Sequence, residues 1–133
     1  MKKHKRPFRI LATLFLAILP AAAVHAVELS MADNGRQLPL AVGEKMIIRL
    51  PGNPTTGYGW FVQTCDSTFL HQPDDPAYTS DSNLLGAGGQ YTFTFDTTAP
   101  GKTPLTLIYH RPWEKDKPPE KTFSIHLDIQ PAE

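Results

Sequence analysis

The chain has 133 residues, thirteen Lys and Arg against thirteen Asp and Glu, and one cysteine, Cys65. A lone cysteine excludes an internal disulfide, and the charge balance lacks the basic face that nucleic-acid binding requires. The length suits one small domain.

The first segment reads as an address rather than as part of a fold. Lys2, Lys3, Lys5, Arg6 and Arg9 precede an apolar run from Ile10 to Leu19, then Pro20 and small residues ending Val24-His25-Ala26. A positive start, a short apolar stretch and small residues at the cut are the layout of a bacterial-type secretory signal. The run falls short of the roughly 20 residues that a membrane span needs. Cleavage after Ala26 is expected, leaving a periplasmic or secreted domain over residues 27–133. The residue directly after the cut is Val27 and not cysteine, which argues against a lipid anchor. Five of the thirteen basic residues leave with the signal, so eight face thirteen acidic ones, a net of −5. A domain this small without disulfides depends on a well-packed core.

From there the chain alternates with period two. Residues 28–31 read as a short strand closed by Asp33-Asn34-Gly35, and residues 38–42 and 46–50 as strands split at Gly43. Met46, Ile48 and Leu50 share one face of the second. Residues 60–64 follow, then a weaker strand around 69–72. Tyr91, Phe93 and Phe95 alternate with Thr92, Thr94 and Asp96 up to the turn at Pro100-Gly101. Leu105, Leu107 and Tyr109 form the next face, and Phe123, Ile125, Leu127 and Ile129 the last. This is the pattern of half-buried strands, and no stretch carries a helical period. About seven or eight antiparallel strands in roughly 100 residues predict an all-β, immunoglobulin-like β-sandwich, with a small closed barrel as the alternative.

Three irregular segments interrupt the alternation, at residues 51–59, 74–90 and 111–121. In an immunoglobulin-type order they are the B–C, D–E and F–G connections, which share one end of the sandwich. In the first, Asn53 is set to form an Asx-turn, Pro54 fixes φ, Thr55 and Thr56 stand at the apex, and Gly57 frees the backbone before Tyr58. By local rules the same residues also serve as a plain turn into the next strand. The second ends in Gly86-Ala87-Gly88-Gly89, but a strand follows instead of the helix that a phosphate cradle needs. Bare backbone there can approach another protein closely, or act as a simple linker. The third opens with Arg111-Pro112-Trp113, residue types enriched at interface hot spots, with Arg111 placed to support the indole by a cation–π contact. A Trp113 folded back over the sandwich is the other reading.

Enzymatic readings are poorly supported. Cys65 with His71, His110 or His126 supplies the residue types for thiol catalysis, but no local signature joins them. No group has metal-ligand spacing, and no cofactor is expected.

Taken together, "NPTTGY" at 53–58, "GAGG" at 86–89 and "RPW" at 111–113 resemble the chagasin family of cysteine-peptidase inhibitors. The resemblance implies a sandwich whose three loops form a wedge that fills the cleft of papain-like (clan CA) cysteine peptidases. It puts Thr55 nearest the target's catalytic pair, with Asn53, Pro54, Thr56, Gly57 and Tyr58 shaping the loop. Gly86, Ala87, Gly88 and Gly89 then lie along one side of the cleft, and Arg111, Pro112 and Trp113 along the other. A monomer acting by reversible, competitive occlusion is expected. The alternative is a periplasmic adhesion or assembly module without inhibitory activity.

Overall fold

Alternation decides which face of each strand is apolar, and burying those faces against each other fixes the fold. The computed structural model describes residues 26–132, so the signal reading of the preceding segment lies outside the described residues. Among the described residues nine strands are present: β1 (Ala26–Leu29), β2 (Gln37–Ala41), β3 (Lys45–Gly52), β4 (Gly59–Cys65), β5 (Leu70–His71), β6 (Ala77–Ser80), β7 (Gly89–Thr97), β8 (Gly101–His110) and β9 (Lys121–Gln130). One sheet has the order β1-β3-β7, with β5 and β6 both pairing with β7. The other has the order β2-β9-β8-β4. These two separate layers make an immunoglobulin-like sandwich rather than a closed barrel.

The inward faces are those that alternation marks. Met46, Ile48, Leu50, Phe93 and Phe95 come from one sheet, and Leu105, Leu107, Phe123, Ile125 and Leu127 from the other, all essentially inaccessible. Each such side chain contributes about 1.5–3 kcal/mol through burial. Trp60 on β4 and Tyr109 on β8 close the core at one end.

Most pairings are antiparallel, but β1 runs parallel to β3 and β2 parallel to β9. Alternation carries no strand direction, so these pairings are invisible to it. They arise because the chain contributes one short strand to each sheet before β3 begins. The crossover is a tight 3-10 turn, Met31–Asp33, with a reciprocal cap. Ser30 N–H donates to the Asp33 carboxylate at 2.9 Å, which holds that carboxyl below its usual range, while Ser30 Oγ accepts from Ala32 N–H. Strand β6 was also illegible. Only Tyr78 in it is half-buried, so the segment shows no apolar alternation.

Register settles where the connections lie. Gly52 at the end of β3 pairs with Gly89 at the start of β7, and Ser80 at the end of β6 pairs with the same Gly89. Gly59 at the start of β4 pairs with His110 at the end of β8, beside the return into β9. The B–C (β3–β4), D–E (β6–β7) and F–G (β8–β9) connections therefore share one end.

The core allows a direct check. Phe93→Ala removes a ring that is 0 % exposed and stacks at 6.5 Å on Phe95. A loss of about 3–5 kcal/mol is expected in urea denaturation; a loss under about 1 kcal/mol would contradict this packing.

Candidate functional site

The first loop is built by local chemistry. Asn53 is extended (φ −141°, ψ 100°) and caps a 3-10 turn, Pro54–Thr56, whose first position is the proline. Asn53 Oδ1 accepts from Thr55 N–H at 3.1 Å and from Thr55 Oγ1 at 2.6 Å, the expected Asx-turn. Thr56 Oγ1 donates back to the Asn53 carbonyl at 2.6 Å. Gly57 ends the turn at φ +85°, in the left-handed region that favours glycine. A Cβ there would also lie 2.6 Å from Trp113 Cη2, so Gly57 is needed for backbone and for packing.

The same asparagine ties this loop to the others and to the core. Its Nδ2 donates to the Gly86 carbonyl in the D–E loop at 2.9 Å, and its backbone N–H donates to the Tyr109 hydroxyl at 3.0 Å. Every polar atom of Asn53 is thus engaged. Beneath it, the Trp60 indole N–H donates to the Pro51 carbonyl at 2.9 Å.

Arg111 links the F–G loop to the B–C loop. Its Nε donates to the Thr56 carbonyl at 3.1 Å, and its Nη1 reaches Glu114 Oε1 at 3.4 Å. The expected cation–π contact with Trp113 is not what forms. The guanidinium instead lies 4.3 Å above the Tyr58 ring. Tyr58 stacks on Tyr109 at 5.3 Å, and Tyr109 packs on Trp60 at 5.2 Å, so a column of rings rises from the core to the guanidinium. Trp113 is displaced to the rim, where its edge rests on Gly57 and it stays 66 % exposed.

The glycines of the D–E loop divide by role. Gly86 is exposed at φ +77°, and its carbonyl receives Asn53. The Gly88 carbonyl accepts from Asp81 N–H at 3.0 Å, closing the base of the loop. Gly89 departs from the expected contact surface because it is buried. A Cβ there would collide with the Thr79 carbonyl and the Tyr78 hydroxyl, so this glycine lets β6 close onto β7. Just before Gly86, Leu84 and Leu85 stand almost fully exposed.

The comparisons with known proteins fit this geometry. The model of "Chagasin family peptidase inhibitor I42" matches residues 39–127. The chain belongs to the chagasin family. It is 34 % identical over 104 residues to chagasin of Trypanosoma cruzi, covering 75 % of this chain and 94 % of that protein. It is 31 % identical over 107 residues to amoebiasin-1 of Entamoeba histolytica, covering 78 % and 100 %. The crystal structure of the cysteine protease inhibitor EhICP2 from Entamoeba histolytica superposes with a TM-score of 0.72 at 22 % identity, covering 80 % and 96 %, which shows the shared fold.

Four residues at this end of the sandwich escaped sequence reasoning. Tyr109 and Trp60 read only as strand residues, because alternation does not show which inward ring carries a hydroxyl or N–H to a loop. Leu84 and Leu85 carried a signal that was passed over: two adjacent leucines beside a glycine run, outside any alternating strand. Of the three histidines considered with Cys65, His110 is held far from it. Cys65 closes β4 opposite Leu105, while His110 lies opposite Gly59 at the other end of the same pair. Desolvation and then Asp66 push the Cys65 thiol up, the reverse of an activated nucleophile.

Asn53→Asp separates the loop's own shape from its link to the D–E loop. A carboxylate still accepts from Thr55 but cannot donate to Gly86. We expect faster amide exchange across residues 84–88, an unchanged B–C loop, and a stability loss of about 1 kcal/mol. Unchanged exchange in the D–E loop would rule out the Asn53–Gly86 bond as its tether.

Proposed function

We propose that this chain is a reversible, competitive protein inhibitor of papain-like cysteine peptidases that occludes the active-site cleft with the three-loop rim. The observation that carries this reading is the cross-linking of the loops in a chagasin-family chain: Asn53 holds Gly86, and Arg111 holds Thr56. Separate loops would each lose conformational entropy on binding, whereas loops already tied together lose little. The adhesion-module alternative gives no reason for tying three loops into one edge.

In this reading Thr55 and Thr56 enter the cleft at its centre. Gly86, Ala87 and Gly88 flank one side with Leu84 and Leu85, and Trp113 with Pro112 flanks the other. Gly57, Tyr58 and Arg111 act mainly from below, as supports. Hydrolysis requires a carbonyl at about 3–3.5 Å from the nucleophile in attack geometry. A turn closed by Asn53, Pro54 and Gly57 and anchored to Tyr109 resists presenting one, so the peptidase is blocked without cleaving its blocker. An interface of about 1,600 Å² formed this way supports nanomolar or tighter affinity. The chain does this as a binder and not as an enzyme, as a monomer.

We also place the protein outside the cytoplasm, on the strength of the charged start, the short apolar run and the small residues before Val27. Full-length chain expressed in a secreting bacterial host should yield a product whose mass begins at Val27; recovery of the uncut chain in the cytosol would refute the export reading. The product should inhibit papain and a cathepsin L-type peptidase against a fluorogenic peptide, and be recovered intact. A folded sample that inhibits neither would favour the adhesion-module reading.

The side chains should rank by buried aromatic area. Trp113→Ala is expected to weaken inhibition by about 30-fold or more, and Thr55→Ala by about tenfold or less. An equal or larger loss for Thr55→Ala in the same titration would reverse that ranking.

A further inference from the structure

Trp113 keeps two thirds of its surface free and touches the rest of the rim through Gly57, so packing alone does not set its pose. What sets it lies on either side in the chain. Arg111 and Glu114 close a turn around Pro112-Trp113, with Glu114 N–H donating to the Arg111 carbonyl at 3.0 Å. The side chains close the same turn a second time. Glu114 Oε1 lies 3.4 Å from Arg111 Nη1, and Glu114 Oε2 lies 2.8 Å from Lys117 Nζ. The carboxylate is the most sheltered of the three, its side chain 18 % exposed against 34 % for Arg111 and 74 % for Lys117. One anion therefore holds both the cation that grips Thr56 and the cation on the outgoing limb of the F–G loop.

We propose that Glu114 is a positioning residue of the rim, a clamp between Arg111 and Lys117 that fixes the pose of Trp113 and makes inhibition weaken in acid. Its effect on affinity rests on the inhibitory reading above; its effect on the pose of Trp113 does not.

The charges facing Glu114 are Arg111 and Lys117 from its own loop. From the B–C loop comes the Tyr58 ring beneath the guanidinium. The F–G loop carries two further carboxylates, Asp116 and Glu120, for which the Glu114→Gln comparison below controls. The Lys117 hydrogen bond first, and then the Lys117 and Arg111 charges, hold the Glu114 carboxyl below its ordinary value of 4.5. A carboxyl lowered by folding contributes fully above that ordinary value, and the contribution is lost as pH falls through the lower, folded one. Protonation leaves Arg111 bound to Thr56 and Tyr58 but frees Lys117 and the second closure of the turn.

The test uses ¹⁵N-labelled protein recovered from a secreting host after expression of the full-length chain, as wild type and as Glu114→Gln. The indole N–H resonance of Trp113 is followed from pH 7 to 3, with the buried, hydrogen-bonded indole of Trp60 as internal reference. In the wild type the Trp113 resonance should shift with a midpoint below 4.5, and in Glu114→Gln it should not. In parallel, papain inhibition by the two proteins is compared at each pH, so that titration of the enzyme cancels in the ratio. Glu114→Gln should be about fivefold weaker at pH 6, and the gap should close below the midpoint. A Trp113 resonance that does not titrate in the wild type, or a ratio of one at every pH, would overturn the clamp. Papain left uninhibited by the wild type would overturn the inhibitory reading instead, and the resonance of the free protein would still decide the clamp.

Discussion

Asn53 is the residue on which the functional end depends. Its side-chain oxygen shapes its own loop, its side-chain nitrogen holds the neighbouring loop, and its backbone N–H is anchored to the core through Tyr109. An amide is suited to this because it carries an acceptor and a donor in one plane. Aspartate would offer only the acceptor, and serine would reach only one partner. Pro54 completes the arrangement by holding Asn53 in the extended geometry from which the carboxamide points both ways.

A loop knot is only as rigid as what lies beneath it. Here the support is the column of Trp60, Tyr109 and Tyr58, capped by Arg111. Its lower members, Trp60 and Tyr109, are buried, so their positions are fixed by the packing of the two sheets. The Trp60 N–H, the Tyr109 hydroxyl and the Arg111 Nε each meet the backbone of residues 51–56. Aromatic residues do both tasks at low entropic cost, because a buried ring has only two torsions to fix and its polar tip extends past the apolar layer. The functional end is in this sense an outgrowth of the core.

The fold was legible wherever burial imposed a period. The faces of β3, β7, β8 and β9 follow from alternation because each has one face in the core and one in water. Where burial is slight the signal vanishes, as in β6, and where direction matters it never existed, as in the parallel pairings of β1 with β3 and of β2 with β9. The loops show the same limit in another form. Asx-turn chemistry at Asn53 is local and was legible. The partner of Arg111 was not, since Tyr58 and Trp113 are both rings at plausible sequence distance and only the stack on Tyr109 decides between them. Gly89 looked equivalent to Gly86 and Gly88 because a sequence cannot distinguish a glycine exposed to a partner from one that makes room for its own sheet.

The three loops are not held alike, and the difference sets which part of the rim deforms first. The B–C and F–G loops rest on the aromatic column and are joined by Arg111. The D–E loop packs no side chain of residues 81–86 into the core; hydrogen bonds from Asn53 and across its own base hold it. Hydrogen bonds at an exposed loop exchange with water at little net cost, whereas withdrawing a ring from a packed column exposes apolar area. The D–E loop is therefore the part of the rim that deforms first, and it is also the part that carries Leu84 and Leu85. On the inhibitory reading, a fixed centre beside an apolar flank free to resettle would let one rim accommodate peptidases whose cleft walls differ.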